Sequence, residues 1–470
     1  MNVEQPFSSS NRKIDPSRRR ATQLFKPDGT PLDPDRLEIG PTDVAFAEWE
    51  ALGITPPNVE RMRKVRLDRT VAEINRRGYG GCLMFDPLNI RYASDSSNMH
   101  VWILHNWARA CFVGADGHMV VWDYKRCEHL SAHLPLVNEV RVGAGMFYFV
   151  AGDQEDAIAA EFAAQIDDLM RAHGNGSRRL AIDKMELHGA RALTARGLAI
   201  GSGQQVMEHA RLIKSDDEIN AMRCAIATCE IAMAKMEEAC EPGIAETELW
   251  AILHAENIKR GGEWIETRIL SSGPRTNPWF QEAGPRRLLE GDLLAFDTDL
   301  IGPYGMCCDM SRTWFVGDGA PTAEQREAYR VAHDHMFANM DLLKPGVTFS
   351  ELTAQCVHLP EAYRAQRYGV FMHGVGLCDE FPSIYYPEDF VEGAFDYPLE
   401  PGMALCVDVY AGKVGGSCGV KLEDQVLITG TGFENLSNYP FEEKLLGQGW
   451  RNRSSYWHQS RRNSSESFVS

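Results

Sequence analysis

The sequence predicts an α+β protein in which a smaller α/β domain precedes a curved, largely antiparallel sheet covered by helices. Three observations support this prediction. The 470 residues, of which 44% are hydrophobic and 24% charged, are enough for two or three globular domains. The first half alternates helix-like and strand-like segments, which is typical of an α/β domain. The second half opens with two helices and then carries apolar strands with only two further helices among them.

The elements of the first half follow one another at close spacing. Residues 65–77 have an amphipathic helical pattern, and Gly81–Phe85 indicates a short buried strand. The later segments are strands at 110–113 and 119–122 around a Gly-Ala-Asp-Gly turn, a helix at 153–173 and a strand at 180–182. The triplet Gly201-Ser202-Gly203 indicates a boundary near residues 205–210. We therefore predict an N-terminal domain over 41–205.

A long helix opens the second half. Ser215 and Glu218 fit a capping box, and the helix is expected to end near Ala239. The elements that follow are a helix at 247–260, strands at 293–300, 311–316, 403–410 and 419–428, and helices at 322–343 and 349–366. We predict a C-terminal domain over 206–450 and a polar tail over 451–470.

Composition excludes several classes of protein. The 48 Lys and Arg against 66 Asp and Glu give a net charge of −18, which argues against a nucleic-acid partner held by a broad basic face. No window approaches the length of an apolar membrane span, and residues 1–40, a polar arm, begin without a secretory signal. The 12 cysteines contain no CxxC pair and give no support for a thiolate metal site. We expect reduced, mostly buried thiols in a cytoplasmic protein.

Acidic residues interrupt the apolar strands of the second half. On a continuous strand, Asp297 and Asp299 would point to the same side, and a hairpin would bring Asp309 back across from Asp297. Like charges side by side on a buried strand are costly unless a positive charge lies between them. The same ordered set continues with His373, Asp408 and Glu423. Five carboxylates and one imidazole form a hard ligand set that suits two divalent metal ions.

This ordered set resembles that of the pita-bread metallohydrolases, which include methionine aminopeptidase, aminopeptidase P, prolidase and creatinase. Their pattern is Asp, Asp, His, Glu, Glu. The flanking segments that also match are Arg211–Ser215, Asp309–Thr313, Pro401–Met403 and Leu422–Asp424. The segment Asp86–Tyr92 resembles the N-terminal domain of the creatinase branch. The resemblance implies a pita-bread fold in the C-terminal domain and a creatinase-like N-terminal domain.

Four positions depart from the hydrolase pattern. Asp408 replaces a glutamate, and Asp299 is an additional acid that could restore the coordination lost by the shorter side chain. Trp279 or Phe280 stands where the hydrolases carry a proton-transferring histidine, and Asp379 lies near the position of a second one. Peptide hydrolysis needs a proton donor for the leaving amine. The combination instead resembles the DddP-type dimethylsulfoniopropionate (DMSP) lyases.

That resemblance implies a β-elimination that splits DMSP into dimethyl sulfide and acrylate. Asp379 is the candidate base, and the expected cofactor is two divalent metal ions, iron first, with zinc, manganese or cobalt as alternatives. A sulfonium cation suits an aromatic receptor, for which Tyr368 and either Trp102 or Trp107 are candidates. The partner is a small-molecule substrate, without nucleic acid or membrane. The resemblance also implies a homodimer whose N-terminal domains help to close the neighbouring site.

Two other functions stay open at this point. An Xaa-Pro dipeptidase or aminopeptidase would use the same metal ligands, but both accessory histidines are missing. A non-catalytic pita-bread binding protein would be expected to have lost metal ligands, whereas six remain.

Overall fold

The computed structural model of the protein describes residues 25–30 and 39–447. The described residues form two compact units, one built from residues 25–30, 39 and 57–211 and one from residues 40–56 and 212–447. Helix α1 (Asp43–Leu52) therefore belongs to the second unit. The predicted tail and most of the predicted N-terminal arm lie outside the described residues.

The first unit is built around a six-stranded mixed sheet with the strand order β4-β3-β2-β1-β5-β6. The strands are β1 (Gly81–Met84), β2 (Ala110–Gly114), β3 (Met119–Trp122), β4 (Glu139–Arg141), β5 (Arg179–Ile182) and β6 (Ala199–Ser202). The helices are α2 (Val59–Arg76), α3 (Pro87–Ser94), α4 (His100–Ile103), α5 (His129–Ala132), α6 (Tyr148–Ala151), α7 (Glu155–His173), α8 (Leu187–Ala195) and α9 (Gly203–Leu212). Parallel pairs at β1–β5, β3–β4 and β5–β6 confirm the predicted α/β character.

The triplet Gly201-Ser202-Gly203 lies in a closely packed part of the first unit. It covers the end of strand β6 and the first residue of helix α9. A Cβ atom at Gly203 would lie 2.5 Å from the backbone nitrogen of Asp183. The glycine therefore permits close approach of two backbone segments.

The second unit contains an eight-stranded antiparallel sheet with the order β14-β13-β15-β16-β12-β9-β8, and β17 pairs with β16. A smaller sheet has the order β11-β10-β7. The strands are β7 (Trp264–Ile265), β8 (Leu270–Ser272), β9 (Leu293–Asp297), β10 (Leu300–Ile301), β11 (Cys307–Cys308), β12 (Ser311–Phe315), β13 (Val370–Val375), β14 (Asp379–Tyr385), β15 (Ala404–Gly412), β16 (Gly419–Ile428) and β17 (Phe433–Asn435).

The helices of this unit are α10 (Asp216–Ala239), α11 (Glu246–Lys259), α12 (Ala323–Met340), α13 (Phe349–Gln355), α14 (Glu361–Arg364) and α15 (Glu443–Leu446). Helix α10 begins as predicted, because the Ser215 backbone N–H donates to Glu218 Oε2 at 2.9 Å and the capping box is complete. The predicted helix at 349–366 is divided into α13 and α14. Pro360 stands between them and cannot occupy a helix interior without removing a hydrogen bond.

The faces of the large sheet are set by the alternation of side chains along its strands. In strand β15, Leu405, Val407 and Val409 belong to an apolar cluster that also contains Ala332 and Met336 of helix α12. Successive residues of a strand point to opposite faces, so the intervening side chains point away from this cluster. None of the helices in the described ranges combines the length and apolar character that crossing a bilayer requires.

Candidate active site

The strand register brings acidic residues together across the large sheet. Asp408 of strand β15 is paired with Glu423 of strand β16, and Ser311 of strand β12 is paired with both Glu423 and Asp297. The Ser311 hydroxyl lies 2.6 Å from Asp297 Oδ1 and 3.0 Å from Glu423 Oε2. Three predicted ligands therefore lie in one row across the sheet, with Ser311 between Asp297 and Glu423.

Asp299 and Asp309 lie close to Asp297 for a reason that differs from the one the sequence suggested. Strand β9 ends at Asp297, and Asp299 adopts a left-handed conformation with φ of 36°. The continuous strand over 293–300 was therefore wrong, and Ser311, not Asp309, is the residue across from Asp297. Even so, carboxylate oxygens of Asp297, Asp299 and Asp309 lie within 4.8 Å of one another. We call this set the oxygen group.

A second set shares Asp309 with the first. Donor atoms of Asp309, His373, Cys406 and Glu423 also lie within 4.8 Å of one another, and we call this set the sulfur-containing group. His373 Nε2 lies 3.3 Å from Glu423 Oε1 and 3.6 Å from Asp309 Oδ2. Nδ1 of His373 contacts the Gly374 carbonyl oxygen at 3.2 Å. A carbonyl only accepts, so Nδ1 carries a proton in this contact. Burial alone would lower the pKa of His373, but Asp379 and Glu423 raise it to about 10, so Nε2 is also protonated when no metal ion is bound. A bound metal ion would take the Nε2 lone pair in place of that proton.

The negative charges of the clustered carboxylates are unfavourable, because these side chains are buried close to one another. Burial raises the pKa of Asp309 and of Asp299 well above the usual range, and neighbouring carboxylates raise both further. Burial likewise raises the pKa of Asp408 to about 7, although Lys421 opposes this shift. Asp309 Oδ1 and Asp408 Oδ1 are buried and find no hydrogen-bond partner among the described residues. Divalent metal ions would satisfy these oxygens and favour the ionised carboxylates, so the donor set fits such ions.

Lys421 is a charged residue of the candidate site that the sequence analysis did not identify. Its Nζ lies 2.5 Å from Glu423 Oε2, 3.1 Å from Asp297 Oδ2 and 3.6 Å from Asp408 Oδ2. Burial alone would lower the pKa of Lys421, but Asp297 and Glu423 raise it well above the usual range. The available signal was its spacing, because a residue two places before Glu423 on a strand shares the face of that ligand.

Asp379 lies at the edge of this cluster as the first residue of strand β14. Its Oδ1 is 3.8 Å from His373 Nδ1, and its side chain is 45% exposed. Partial loss of hydration raises the pKa of Asp379, with Glu423 adding to the shift and His373 opposing it. The next residue, Glu380, is buried and forms an ion pair with Lys214. Asp379 is therefore held beside the metal-ligand candidates while it remains open to solvent.

Aromatic side chains lie next to the acids. The Lys421 Nζ is 5.1 Å from the centre of the Tyr368 ring, and the Phe280 ring is 5.1 Å from the same ring. Phe280 is 66% exposed and has a left-handed φ of 66°. Trp279 is buried and stacks on Tyr410 at 5.7 Å. Of the two residues at the position of the missing histidine, Phe280 lies exposed beside Tyr368, whereas Trp279 belongs to the buried cluster against which Tyr368 packs.

The tryptophan candidates belong to the N-terminal unit. Trp102 is half-buried there, and its ring contacts those of Tyr124 and Phe147 at 6.0 and 6.5 Å. Trp107 packs against the apolar core of that unit, and its Nε1–H donates to the Leu104 carbonyl.

Comparison with known proteins adds the family. Residues 220–430 match the model of metallopeptidase family M24. The chain is 54% identical over 445 residues to the dimethylsulfoniopropionate lyase DddP of Roseovarius nubinhibens, covering 94% of this chain and 99% of that protein. It is 51% identical to the protein of the same name from Roseobacter denitrificans, covering 93% of this chain and 98% of that one.

Solved structures agree on the fold. An Xaa-Pro dipeptidase from Bacillus anthracis has a TM-score of 0.64 at 23% identity and covers 80% of this chain and 98% of its own. The prolidase from Thermococcus sibiricus has a TM-score of 0.65 at 21% identity and covers 81% of this chain and 98% of its own. Both relationships confirm the predicted pita-bread fold. With its near-complete match to the first two relatives, the chain belongs to the DddP dimethylsulfoniopropionate lyase family within metallopeptidase family M24.

Proposed function

We propose that this protein is a metal-dependent carbon–sulfur lyase that cleaves DMSP to dimethyl sulfide and acrylate by β-elimination. The observation that carries the proposal is a solvent-open carboxylate, Asp379, at the edge of a buried metal-binding cluster. Its position is that of a base that reaches a bound substrate without itself lying among the buried ligands. The names of the two DddP relatives point to the same substrate.

The metal centre in this proposal takes two divalent ions. The residues that would hold them are Asp297, Asp299, Asp309, His373, Asp408 and Glu423. Iron is the metal that the family resemblance implies, and the oxygen-rich set also suits manganese, cobalt and zinc. A bound divalent ion would withdraw electron density from the substrate carboxylate and stabilise the charge that develops next to it.

Asp379 performs the proton transfer in this mechanism. Its carboxylate takes the proton from the carbon next to the substrate carboxylate, and its raised pKa makes it a stronger base than a free aspartate. The electron pair of the broken C–H bond becomes the carbon–carbon double bond of acrylate. The C–S bond breaks at the same time, and its electron pair leaves with dimethyl sulfide. The proton on Asp379 then passes to solvent, to which its side chain is open.

Aromatic rings would receive the sulfonium group. Tyr368 lies beside the ligand cluster, and the exposed Phe280 ring extends the same surface towards solvent. A cation near an aromatic face gains roughly 0.5–2 kcal/mol, depending on how far it is desolvated. We propose Tyr368 as the first wall of this receptor. We propose Trp102 as a second wall, contributed by an N-terminal unit.

The protein is further proposed to act as a cytoplasmic homodimer. Helix α6 presents Tyr148, Phe149 and Val150 with 64%, 79% and 56% of their surfaces exposed. Contiguous exposed apolar side chains of this kind are typical of protein–protein interfaces. All twelve cysteines lie in the described ranges and are free thiols, as a reducing compartment would leave them. Phe149→Glu is expected to convert the dimer into monomers in light-scattering measurements of molar mass. A dimer that survives the substitution would place the interface elsewhere.

Headspace gas chromatography tests the reaction directly. Purified, metal-loaded protein is incubated with DMSP, with and without a chelator, beside the variants Asp379→Asn and Asp318→Asn. Asp318 is an exposed acid, so its variant controls for the loss of one carboxylate. We expect chelator-sensitive release of dimethyl sulfide from the wild type and from Asp318→Asn only. If fully metallated wild type releases none, the lyase proposal is wrong, and Xaa-Pro dipeptides become the next substrates to test.

A further inference from the structure

A cysteine thiol lies among the metal-ligand candidates. Cys406 is fully buried in strand β15 and is paired with His373 of strand β13. Asp408 lies two positions further along the same strand, so both side chains point to the face that carries the acids. The mostly buried cysteines of this chain gave no sequence signal for a thiolate site, because the nearest partners of Cys406 come from distant segments.

The neighbours of the thiol are themselves incompletely satisfied. Asp309 Oδ1 and Glu423 Oε1 are buried and make no hydrogen bond among the described residues, although Glu423 Oε1 lies near His373. Asp309 is 2% exposed and Glu423 is 0% exposed. With His373 and Cys406 they form the sulfur-containing group, whose donor atoms all lie within 4.8 Å of one another. Ligand atoms around one tetrahedral ion stand about 3.3–3.8 Å apart, so small side-chain rotations would complete the site.

The two groups differ in chemical softness. The oxygen group offers carboxylates alone, whereas the sulfur-containing group offers one imidazole nitrogen, one sulfur and two carboxylates. Asp408, the shortened residue at the position of a family glutamate, belongs to neither group of described side chains. Its Oδ2 faces Lys421 at 3.6 Å. Asp408 keeps a buried oxygen, Oδ1, that makes no hydrogen bond among the described residues, and the neighbouring thiol offers a donor in addition to it.

We propose that Cys406 is a sulfur ligand of one metal ion, bound together with Asp309, His373 and Glu423. The second ion would lie in the oxygen group, with Asp309 shared between them. The S–H proton leaves to solvent as the sulfur–metal bond forms. This inference rests on the proposed metal centre and adds a ligand to it. Its consequence is selectivity: a position with sulfur and nitrogen donors favours Fe²⁺, Co²⁺ or Zn²⁺, and an all-oxygen position tolerates Mn²⁺.

The alternative for Cys406 is a purely apolar role. Its Sγ contacts the backbone oxygen of Asp309 at 3.8 Å, a weak hydrogen bond that a buried thiol makes without any metal. Metal–sulfur spectroscopy separates the two roles, because only a ligand gives a sulfur neighbour at bonding distance.

The experiment uses the full-length protein stripped of metal and reloaded with Zn²⁺ or Co²⁺. X-ray absorption of the Zn²⁺ form is expected to show sulfur at about 2.3 Å, and the Co²⁺ form is expected to show a thiolate charge-transfer band. Cys406→Ser should lose both signals. Cys307→Ser is the matched control, because Cys307 is equally buried two residues from Asp309 but belongs to neither group of described side chains. Its spectra should equal those of the wild type.

The outcomes separate this inference from the function on which it rests. Bound metal without a sulfur neighbour in the wild type would overturn the role of Cys406 and leave the metal centre intact. A protein that binds no metal would overturn both. The wild-type spectrum decides the question even if Cys406→Ser does not fold.

Discussion

Replacing Lys421 with methionine tests how the acid cluster is balanced. The two side chains are similar in length, but methionine carries no charge. The Lys421 side chain is 1% exposed, and its Nζ contacts Glu423, Asp297 and Asp408 at 2.5, 3.1 and 3.6 Å. It also lies 3.0 Å from the hydroxyl oxygen of Ser311. In protein without metal, this ammonium is the cation closest to these carboxylates among the described contacts.

The magnitude follows from these distances. At an effective dielectric constant of about 20, one ion pair at 3.1 Å is worth roughly 5 kcal/mol before desolvation is subtracted. Removing one partner of a buried pair leaves an uncompensated charge, and the measured cost is about 3–5 kcal/mol. We expect a loss of this size for Lys421→Met in chelated protein. Divalent ions supply the missing positive charge, so the loss should fall below about 2 kcal/mol in metal-loaded protein.

Urea unfolding of both forms provides the assay, and the same substitution at the surface provides the control. Lys413 pairs with Glu327 at 3.0 Å, but its side chain is 30% exposed, so Lys413→Met should cost at most about 1 kcal/mol in either form. The reasoning is refuted if Lys421→Met costs no more than Lys413→Met in chelated protein. It is also refuted if added metal leaves the cost of Lys421→Met unchanged.

Three further changes have definite expected outcomes. Asp379→Asn should lower kcat/KM for DMSP about 10²–10⁴-fold while metal content stays constant; loss of metal would make Asp379 a ligand instead. Asp299→Ala should reduce the bound metal measured by elemental analysis, and unchanged content would remove Asp299 from the ligand set. Burial lowers the pKa of His335 to about 4. Between pH 6.5 and 4, the imidazole therefore binds a proton in the unfolded chain but not in the folded protein. The free energy of unfolding consequently falls as the pH drops. At pH 5 the wild type should have lost about 2 kcal/mol relative to pH 7.5 from this residue, as measured by urea unfolding; an equal loss in His335→Gln would assign it elsewhere.

Much of the site was foreseeable because acids inside apolar strands are unusual. Asp408 and Glu423 interrupt long buried strands, and their direct pairing follows from antiparallel neighbours. Asp297 and Asp299 were expected on one face for the wrong reason. The sequence shows apolar residues up to Leu300, whereas the chain leaves the large sheet after Asp297 and enters the smaller one.

Cys406 and Lys421 could not be recognised in the same way. A buried cysteine is ordinarily an apolar core residue, and a lysine in a strand is ordinarily at an edge or pointing to solvent. Only the register across strands β13, β15 and β16 shows which side chains surround them. That register joins strands that are separated along the chain by more residues than a local sequence pattern covers. The breaks within predicted elements, by contrast, had a visible cause at Pro360.

The buried ion pair between Lys214 and Glu380 has a consequence for how this site could change its chemistry over time. The pair fixes strand β14 at its second residue, so the first residue, Asp379, need not contribute to holding the strand in place. A position whose backbone is secured by its neighbour can exchange one side chain for another without a penalty in folding. Single substitutions at position 379 could therefore introduce an imidazole, a carboxylate or an amide side chain. The anchor thereby gives an ancestral scaffold room to acquire a new reaction while its metal-ligand candidates remain in register.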